Sequence, residues 1–395
     1  MAFKPKFLFL SSGIAKLPQL AAFFPEFDLQ YVPFFTRLFS FPIKNQAGIA
    51  ADETVTLVSS VTSVTSAPTS IQNLPAASTM IAAWGRKPTA RKAEKLAQKF
   101  GLPLARLEDG FLRSVKPSSK TPLSLILDHK GIYYDATAPS DLELAIIKLL
   151  TPEQIKRAEH IQLQWCKAGV SKYNHSPDIS EEHLSELTDG QPFLLLVDQT
   201  LGDASVRYGQ ASTSSFEEML SAALTHPKQL LVLVKLHPEV VSGKKQGYLS
   251  ELIKQSQFVR NLQIKVINWD VHLPSLLTQA TALYTVSSQS GFEGLLHGIT
   301  VHTFGMPFYA GWGLTVDSLP APARRSSATL AQLIYATLVA YPRYIDPNTE
   351  QLTQVEETIA YLKLQRKKAY RFGAPAFTYR RYLDLGACYL GKDPP

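Results

Sequence analysis

The chain has 395 residues, of which 45% are hydrophobic and 18% charged. This balance is typical of a folded globular protein and excludes a disordered or fibrous chain, and the length predicts two domains of about 100–200 residues each. No apolar run approaches the roughly 20 residues of a membrane-spanning helix, and the N-terminus lacks the pattern of a secretory signal. Cys166 and Cys388 cannot form a disulfide framework and lack metal-ligand spacing, so we expect a cytoplasmic protein.

The net charge of +7, from 40 Lys and Arg against 33 Asp and Glu, favours an anionic partner. Basic and aromatic residues alternate near the C-terminus, which predicts either peripheral contact with an anionic membrane or an ordinary solvated helix face. These basic residues match no recognised nucleic-acid motif, so we expect no nucleic-acid partner. They are Lys363, Arg366, Lys367, Lys368, Arg371, Arg380 and Arg381.

The N-terminal half begins with a short strand and continues with strands and helices in alternation. A stretch rich in Ser, Thr and Ala, residues 45–80, predicts a loop or an insertion. Thr151-Pro152-Glu153 predicts the start of a helix, because Thr is a good N-cap and Pro suits the first helical position. The other predicted elements are the strand 7–10, the strand 80–84, the helix 90–100, the strand 104–107, and a hairpin of 124–127 with 132–134.

Residues 189–192 predict a domain boundary. Beyond it, nearly continuous apolar strands alternate with helices, which indicates a parallel sheet covered on both faces. We therefore predict an α/β protein with two facing Rossmann-like domains, residues 1–190 and 191–330. Helices and the basic tail of residues 331–395 are expected to pack back toward the first domain. In such folds the ligand lies at the carboxyl ends of the strands.

The candidate chemistry follows the predicted strands of the C-terminal half. Asp198 ends the strand 193–198, and Asp203 and Ser205 follow it in the next turn. The two carboxylates could act as nucleophile or general base, or these residues could only form turns and caps. After strand 230–235 come His237 and Pro238, and Lys235 with His237 could neutralise a phosphate; the alternative is a core histidine bonded to backbone.

The strand 283–286 is followed by two hydroxyls, Ser287 and Ser288, which predict an anion site or an ordinary N-cap. Gln289 lies in the same turn. Glu293 could bind a ribose or could only complement the helix dipole. The loop of residues 305–315 is rich in glycine and aromatic residues, so we expect Tyr309 or Trp312 to form a wall of the ligand site.

In the N-terminal half, Arg86 and Arg113 follow strands and could bind a carboxylate through paired hydrogen bonds. Glu108, next to Asp109, could orient them and is a candidate catalytic acid; surface salt bridges are the alternative. The chain has no phosphate-binding glycine loop, no dinucleotide fingerprint, no zinc-binding His pair and no Asp-x-Asp motif after a strand. We therefore expect chemistry that needs neither a metal nor a cofactor.

Five stretches, in this order, resemble the bacterial capsule polysaccharide biosynthesis family, and more narrowly the KpsC-type retaining β-Kdo glycosyltransferases. They cover residues 84–114, 124–143, 198–209, 234–249 and 284–315, and include LEDGFLRS, DQTLGDASVRYG, VKLHPE and YTVSSQSGFEG. The resemblance extends over about residues 80–345. Leu201 departs from it, since relatives often carry Arg before Gly-Asp.

The resemblance implies a GT-B fold, CMP-Kdo as donor, and retention to give a β-Kdo linkage on a capsule or lipopolysaccharide glycan or a lipid-linked Kdo acceptor. It implies that Asp203 is the catalytic carboxylate and that His237, Ser287 and Ser288 contact the CMP phosphate. Two alternatives remain at this point: a GT-B transferase that uses another CMP-, UDP- or GDP-sugar, and a non-catalytic capsule-assembly scaffold.

Overall fold

The computed structural model describes residues 4–32, 65–66, 78–116, 119–255 and 261–371. Most of the stretch expected to be a loop or insertion, residues 45–80, lies outside this part of the chain. The basic tail beyond residue 371 also lies outside it.

The strands of the described chain are numbered in chain order. They are β1 (Lys6–Phe9), β2 (Asp28–Tyr31), β3 (Thr65–Ser66), β4 (Thr79–Trp84), β5 (Leu104–Asp109), β6 (Ser124–Asp128), β7 (Phe193–Val197), β8 (Leu231–Lys235), β9 (Ile264–Ile267), β10 (Ala282–Thr285), β11 (Thr300–Thr303), β12 (Val316–Asp317), β13 (Pro342–Asp346) and β14 (Gln351–Thr353).

The helices are numbered in the same way, and a π-helical turn, Ala336–Ala340, follows α13. They are α1 (Ser12–Ala15), α2 (Leu20–Phe23), α3 (Ala90–Phe100), α4 (Asp141–Ile146), α5 (Pro152–Ala168), α6 (Glu181–Thr188), α7 (Ala204–Tyr208), α8 (Thr213–Leu224), α9 (Pro238–Val241), α10 (Tyr248–Ile253), α11 (Leu273–Leu277), α12 (Ser290–Leu296), α13 (Leu330–Tyr335) and α14 (Val355–Arg371).

The chain divides into two compact units. The first comprises Met1–Gly110, Lys120–Lys130 and Arg343–Thr353. Its sheet has the order β14-β13-β6-β5-β4-β1-β2-β3, with parallel pairing from β5 to β3 and antiparallel pairing of β6 with β5 and of β13 with β14. Alternate residues of β1 face opposite layers. Phe7 and Phe9 pack with the residues of α1 and α2, whereas Leu8 packs with the alanines of α3.

The second unit comprises Phe111–Ser119, Gly131–Pro342 and Gln354–Pro395. Its sheet has the order β9-β8-β7-β10-β11-β12, and each neighbouring pair is parallel. Taken in chain order within this sheet, the strands are arranged 3-2-1-4-5-6, the order of a doubly wound nucleotide-binding fold. The order reverses between β7 and β10, so a crevice for a ligand is expected at the carboxyl ends of these two strands.

The core of the second unit lies between this sheet and the helices that cover it. Leu194, Leu196, Val232 and Val234 are fully buried and contact side chains of α8 and α10. These strands are apolar on consecutive residues because both of their faces are covered.

Two expectations differ from the structure. Residues 132–134 do not form a hairpin with β6; β6 pairs antiparallel with β5, and the Asp135 N–H closes a turn on the Ile132 carbonyl. Residues 189–192 join α6 to β7 inside the second unit, where α5 packs on α12, α13 and α14. The C-terminal helix α14 thus packs on a helix from the range that the sequence assigned to the first domain.

In the described part of the chain, no helix combines the length and apolar character needed to cross a membrane.

Candidate functional site

The turns that follow β7 and β10 meet at the switch point of the second sheet. Asp203 is the N-cap of α7, and its Oδ1 atom accepts hydrogen bonds from the Ser205 N–H and from the Ser205 hydroxyl, each over 2.9 Å. The Ser205 Oγ lies 3.2 Å from the Ser287 Oγ, in the turn after β10. The structure therefore brings together Asp203, Ser205 and Ser287, three of the predicted site residues.

The second carboxylate oxygen of Asp203 is left open. Oδ1 takes both hydrogen bonds from Ser205, and within the described residues Oδ2 has no hydrogen-bond partner. The side chain is only partly buried. A carboxylate held by one oxygen and open at the other is suited to attack a ligand bound at these strand ends.

His237 lies after β8, at the start of α9, and its tautomer is defined by its hydrogen bond. The Nδ1 atom accepts the Glu239 N–H over 3.1 Å. Burial lowers the pKa of His237 to about 4, with Glu239 and Asp203 opposing this effect and Lys235 adding to it. The ring is thus neutral at pH 7 and carries its proton on Nε2, which has no partner among the described residues. Pro238 is the first residue of α9.

Lys235 is a buried cation at the end of β8. Burial lowers the pKa of Lys235 to about 8, against the opposing charges of Asp270 and Glu293. Among the described residues no carboxylate lies within 4 Å of its Nζ atom. The ammonium group is therefore largely charged at pH 7 without a direct ion pair, which suits it to neutralise a ligand phosphate.

Glu293 lies in α12 and is 2% exposed. Its Oε1 accepts the Lys172 N–H over 3.3 Å, whereas its Oε2 is buried and has no hydrogen-bond partner within the described chain. Burial raises the pKa of Glu293 to about 7, although Ser171, Lys172 and Lys235 stabilise its charged form. Its contact with a ribose stays a prediction.

The two serines after β10 have different surroundings. Ser287 faces Ser205, whereas the Ser288 hydroxyl donates to the Ser290 Oγ over 3.0 Å at the start of α12. The side chain of Gln289 donates to the Phe111 carbonyl over 2.8 Å. Ser287 is therefore the serine that belongs to the network, whereas Ser288 and Gln289 hold the turn through these contacts, and their binding of substrate stays a prediction.

Asp198 is buried against backbone amides. Its Oδ1 accepts the N–H groups of Gln199 and Leu249, each over 2.8 Å, and its Oδ2 accepts the Ser250 N–H over 3.2 Å. Burial raises the pKa of Asp198 to about 6, against these hydrogen bonds. Both oxygens hold the backbone of the turn and of α10. These contacts give Asp198 a structural role, and its candidate catalytic role stays a prediction.

The aromatic residues of the loop 305–315 do not line a crevice. Tyr309 and Trp312 are 0% exposed. The Tyr309 hydroxyl donates to the Ser288 carbonyl, and the Trp312 Nε1 donates to the Phe308 carbonyl over 2.8 Å. The expectation that either ring forms a ligand wall is corrected, since both rings are large apolar groups whose polar atoms find partners in the interior.

The candidates nearer the N-terminus are held by local contacts. Arg113 donates to the Ser119 carbonyl over 3.1 Å and lies over the Tyr173 ring. Arg86, in the first unit, follows β4 as expected and lies 3.6 Å from the Glu94 carboxylate. Glu108 is inside β5 rather than after it, opposite Ile126. The roles proposed for Arg86, Arg113 and Glu108 stay predictions.

Sequence reasoning missed Gln199. This residue is 3% exposed and hydrogen-bonds both Ser205 and Ser287. A glutamine that follows an aspartate in a turn gives no signal of its own in the sequence. Its partner Ser287 lies 88 residues away along the chain.

Within residues 4–32, 65–66, 78–116, 119–255 and 261–371, no group of three or more His, Cys, Asp and Glu side chains is arranged to hold a metal ion.

The described part of the basic C-terminal region has some side chains on the surface and others in the interior. Lys363, Lys367 and Lys368 are exposed on α14. Arg366, by contrast, is buried and pairs with Asp178 over 2.9 Å, so it does not belong to a solvated basic face.

Comparison with known proteins identifies relatives over most of the chain. Residues 79–344 match the family described as capsule polysaccharide biosynthesis protein. The capsule polysaccharide modification protein LipA of Neisseria meningitidis is 39% identical over 298 residues, 73% of this chain and 42% of LipA. The lipopolysaccharide-processing protein LpsZ of Rhizobium meliloti is 33% identical over 72% of this chain and 63% of LpsZ. The chain thus spans less than two thirds of the length of these relatives.

A solved structure resembles this one over nearly its whole length. The beta Kdo 2,4 transferase of Thermosulfurimonas dismutans KpsC is 36% identical, with a TM-score of 0.74, and the likeness covers 92% of this chain and 99% of that chain. With the two α/β units and the C-terminal helix, this likeness confirms the expected GT-B fold class. The chain therefore belongs to the capsule polysaccharide biosynthesis family.

Proposed function

We propose that this chain is a glycosyltransferase that moves Kdo from CMP-Kdo to a capsule or lipopolysaccharide glycan or to a lipid-linked Kdo acceptor, with retention of the β configuration. The observation that carries the proposal is the open Oδ2 of Asp203, in a carboxylate whose Oδ1 is held by Ser205 beside Ser287. The likeness to the Kdo transferase of Thermosulfurimonas dismutans supports the sugar, and the names of LipA and LpsZ support the kind of glycan.

In the proposed reaction Asp203 acts twice. Its Oδ2 attacks the anomeric carbon of Kdo, the bond from that carbon to the phosphate oxygen breaks, and CMP leaves with the electron pair. The resulting glycosyl ester has inverted configuration. An acceptor hydroxyl then attacks the same carbon and loses its proton to solvent, the ester bond breaks, and the Asp203 carboxylate is restored. Two inversions give net retention, as in two-step retaining glycoside chemistry.

The departing CMP gains negative charge, and we assign three side chains to stabilising it. Lys235 supplies a buried positive charge, and neutral His237 can donate from Nε2. The Ser287 hydroxyl adds a third donor. Charge stabilisation in a site shielded from water is worth more than in bulk solvent, so these groups can lower the barrier without a bound metal. We accordingly expect turnover to persist in the presence of a chelator.

For the acceptor, we retain Arg86 and Glu108 of the first unit, and Arg113, as candidate contacts.

For the membrane, we propose peripheral association through exposed Lys363, Lys367 and Lys368 together with the tail that follows. Co-sedimentation with vesicles that contain anionic lipid, lost in high salt and in the variant with these three lysines changed to Gln, would support this association. Equal sedimentation of that variant would contradict it.

The proposed function is tested by detecting the covalent glycosyl intermediate on Asp203. Wild-type protein, Asp203→Asn and Asp203→Ala are incubated with CMP-Kdo, and CMP release, transfer to a Kdo-terminated glycolipid, intact mass and the masses of proteolytic peptides are measured. We expect an adduct of one Kdo residue on the wild-type peptide that contains Asp203, and loss of transfer by on the order of 10³-fold or more in both variants. Asp189→Asn, which alters an exposed carboxylate, is the matched control.

Near wild-type transfer by both Asp203 variants would end the nucleophile assignment. The donor is tested separately by thermal shift, because a ligand that binds only the folded state raises its melting temperature. We expect stabilisation by CMP and not by UDP or GDP. Stabilisation by UDP alone would instead favour a transferase for a UDP-sugar.

A further inference from the structure

The side chain of Gln199 spans the switch point of the second sheet. Gln199 lies two residues beyond the end of β7, and Ser287 lies two residues beyond the end of the neighbouring strand β10. The Gln199 Oε1 accepts the Ser287 N–H over 2.9 Å. Its Nε2 lies 3.1 Å from the Ser287 Oγ and 3.2 Å from the Ser205 Oγ. One buried amide thus contacts both hydroxyls of the network.

The orientation of this amide follows from its partners. A buried backbone N–H needs an acceptor, so the Ser287 N–H requires the carbonyl oxygen of Gln199 on its side. The two hydrogens of Nε2 are then available to the two hydroxyl oxygens. Each hydroxyl has a single hydrogen to donate, and the amide thereby decides where that hydrogen goes.

The hydrogens can be followed through the network. Ser205 accepts from Gln199 and donates to the Asp203 Oδ1 over 2.9 Å. Ser287 also accepts from Gln199, and its own hydrogen has two longer options, the Ser205 Oγ at 3.2 Å and the Gln199 Oε1 at 3.4 Å. Ser205 is therefore a donor toward the carboxylate, whereas the Ser287 hydrogen remains available for a better acceptor.

We propose that Gln199 is a positioning residue that turns the Ser205 hydroxyl toward Asp203 and leaves the Ser287 hydroxyl as a donor to the nucleotide phosphate. This assignment rests on the proposed function for its substrate. The amide acts through the two serines, and it links the attacking carboxylate to the group that binds the leaving phosphate. Without the amide, both hydroxyls can rotate, and each can turn toward the other instead of toward its functional partner.

The backbone of Gln199 is held in place by the side chain of Asp198. Asp198 Oδ1 accepts the Gln199 N–H over 2.8 Å and the Leu249 N–H over 2.8 Å, which joins the turn to α10. Gly247 lies so close to Asp198 that an added Cβ would stand 2.0 Å from Oδ2. The close packing requires a residue without a side chain at position 247, and the hydrogen bonds to Asp198 fix the backbone from which the Gln199 side chain reaches Ser287.

The test is a pair of double-mutant cycles built on Gln199→Glu. Glu keeps the size of the side chain and an acceptor for the Ser287 N–H, but a carboxylate cannot donate to either hydroxyl. The binding cycle combines Gln199→Glu with Ser287→Ala and measures CMP affinity by calorimetry. The turnover cycle combines it with Ser205→Ala and measures kcat with CMP-Kdo. Gln263→Glu, which alters a half-buried glutamine bonded to the Leu230 carbonyl at the opposite ends of the strands, is the matched control.

We expect Gln199→Glu to weaken CMP binding and to lower kcat, each on the order of 10- to 100-fold. This is the size expected when Ser287 loses its hydrogen bond to the charged phosphate and Ser205 loses its hydrogen bond to the Asp203 carboxylate. In each cycle, the double variant should lose no more affinity or kcat than the more damaging of its two single variants. The reason is that Gln199 acts through the serine, so once the serine hydroxyl is gone, changing Gln199 has no further effect. Gln263→Glu should leave both quantities near wild type.

Additive losses in both cycles, or equal losses in Gln263→Glu, would overturn the assignment. The proposed function can fail separately. If wild-type protein bound CMP but did not transfer Kdo, a non-additive binding cycle would still support Gln199. If the protein transferred Kdo but Gln199→Glu behaved as wild type, only the inference about Gln199 would be lost.

Discussion

The Nδ1 atom of His237 accepts the N–H of Glu239 over 3.1 Å, which leaves Nε2 as the nitrogen that bears hydrogen. The same contact caps α9, whose N-cap is His237. One ring therefore stabilises the start of a helix with one nitrogen and can donate to a ligand with the other. The two roles can be separated by substitution.

His237→Asn should keep the cap and lose the donor. Asn is among the preferred N-cap residues, and its Oδ1 can accept the Glu239 N–H as Nδ1 does. We expect the melting temperature to stay close to wild type while CMP affinity falls by on the order of 10- to 100-fold. Calorimetry with CMP measures the loss. A variant that binds CMP as the wild type does would remove His237 from the phosphate site.

Lys235→Met should separate stability from binding. The variant no longer buries a charge without an ion pair, so its melting temperature should equal or exceed that of the wild type, while CMP affinity should fall. The pKa of Lys235 is lowered to about 8 in the folded protein, so the unfolded chain binds more protons between pH 8 and 10.5. Wild-type stability should gain from this group as the pH rises through that window, and the variant should lack the gain.

Glu293→Gln should change how stability depends on pH. The pKa of Glu293 is raised to about 7 in the folded protein, from 4.5. The folded state therefore holds the proton more tightly, and this contribution to stability is present below pH 4.5 and is lost as the pH rises through 7. Relative to wild type, the variant should gain on the order of 2–4 kcal/mol between pH 4.5 and pH 8. Chemical denaturation at both pH values measures the difference, and parallel behaviour of the two proteins would contradict it.

Glu143→Gln should destabilise the second unit strongly. Glu143 pairs with Arg325 over 2.7 Å, and their side chains are 6% and 1% exposed. Arg325 also donates to the carbonyls of Pro307 and Ala310, which braces the loop 305–315. Removing one partner leaves a buried charge uncompensated, with an expected loss of about 3–5 kcal/mol in the free energy of unfolding.

The control for Glu143→Gln is Glu356→Gln. Glu356 pairs with Arg157 over 2.8 Å, but both side chains are more exposed to solvent. Exposed ion pairs contribute about 0–1 kcal/mol, so this variant should unfold near the wild-type midpoint. Equal losses in the two variants would show that burial is not the reason for the effect.

Much of the secondary structure could be predicted from local pattern. The helix 90–100 was predicted from apolar residues that recur on one face, and α3 has these bounds. In the structure Gly101 is its C-cap, in the left-handed conformation. Thr151 forms the capping interaction expected of it, with its Oγ1 accepting the Gln154 N–H. The hairpin with residues 132–134 was wrong, because β6 finds a partner in β5 that lies earlier in the chain. Strand pairing depends on which apolar faces can be buried together, and no local turn signal carries that information.

The candidate site was predictable in part. The polar residues after β7, β8 and β10 could be named because parallel strands end at one edge of a sheet. Which of them turn toward a ligand could not. Asp198 and Asp203 look alike in the sequence, yet the first faces the amides of α10 and the second has an open oxygen. Trp312 was expected to form a ligand wall, and its ring is enclosed in the interior.

By itself, the sequence of this protein determined the α/β class, the positions of most strands and helices, and the short motifs that gather at the strand ends. These follow from periodicity, capping and turn chemistry, which act over a few residues. Only the tertiary structure decided that Gln199 joins Ser205 to Ser287 and that Asp198 is enclosed. Those outcomes depend on contacts between residues tens of positions apart, and such contacts exist only once the sheet has brought the strand ends together.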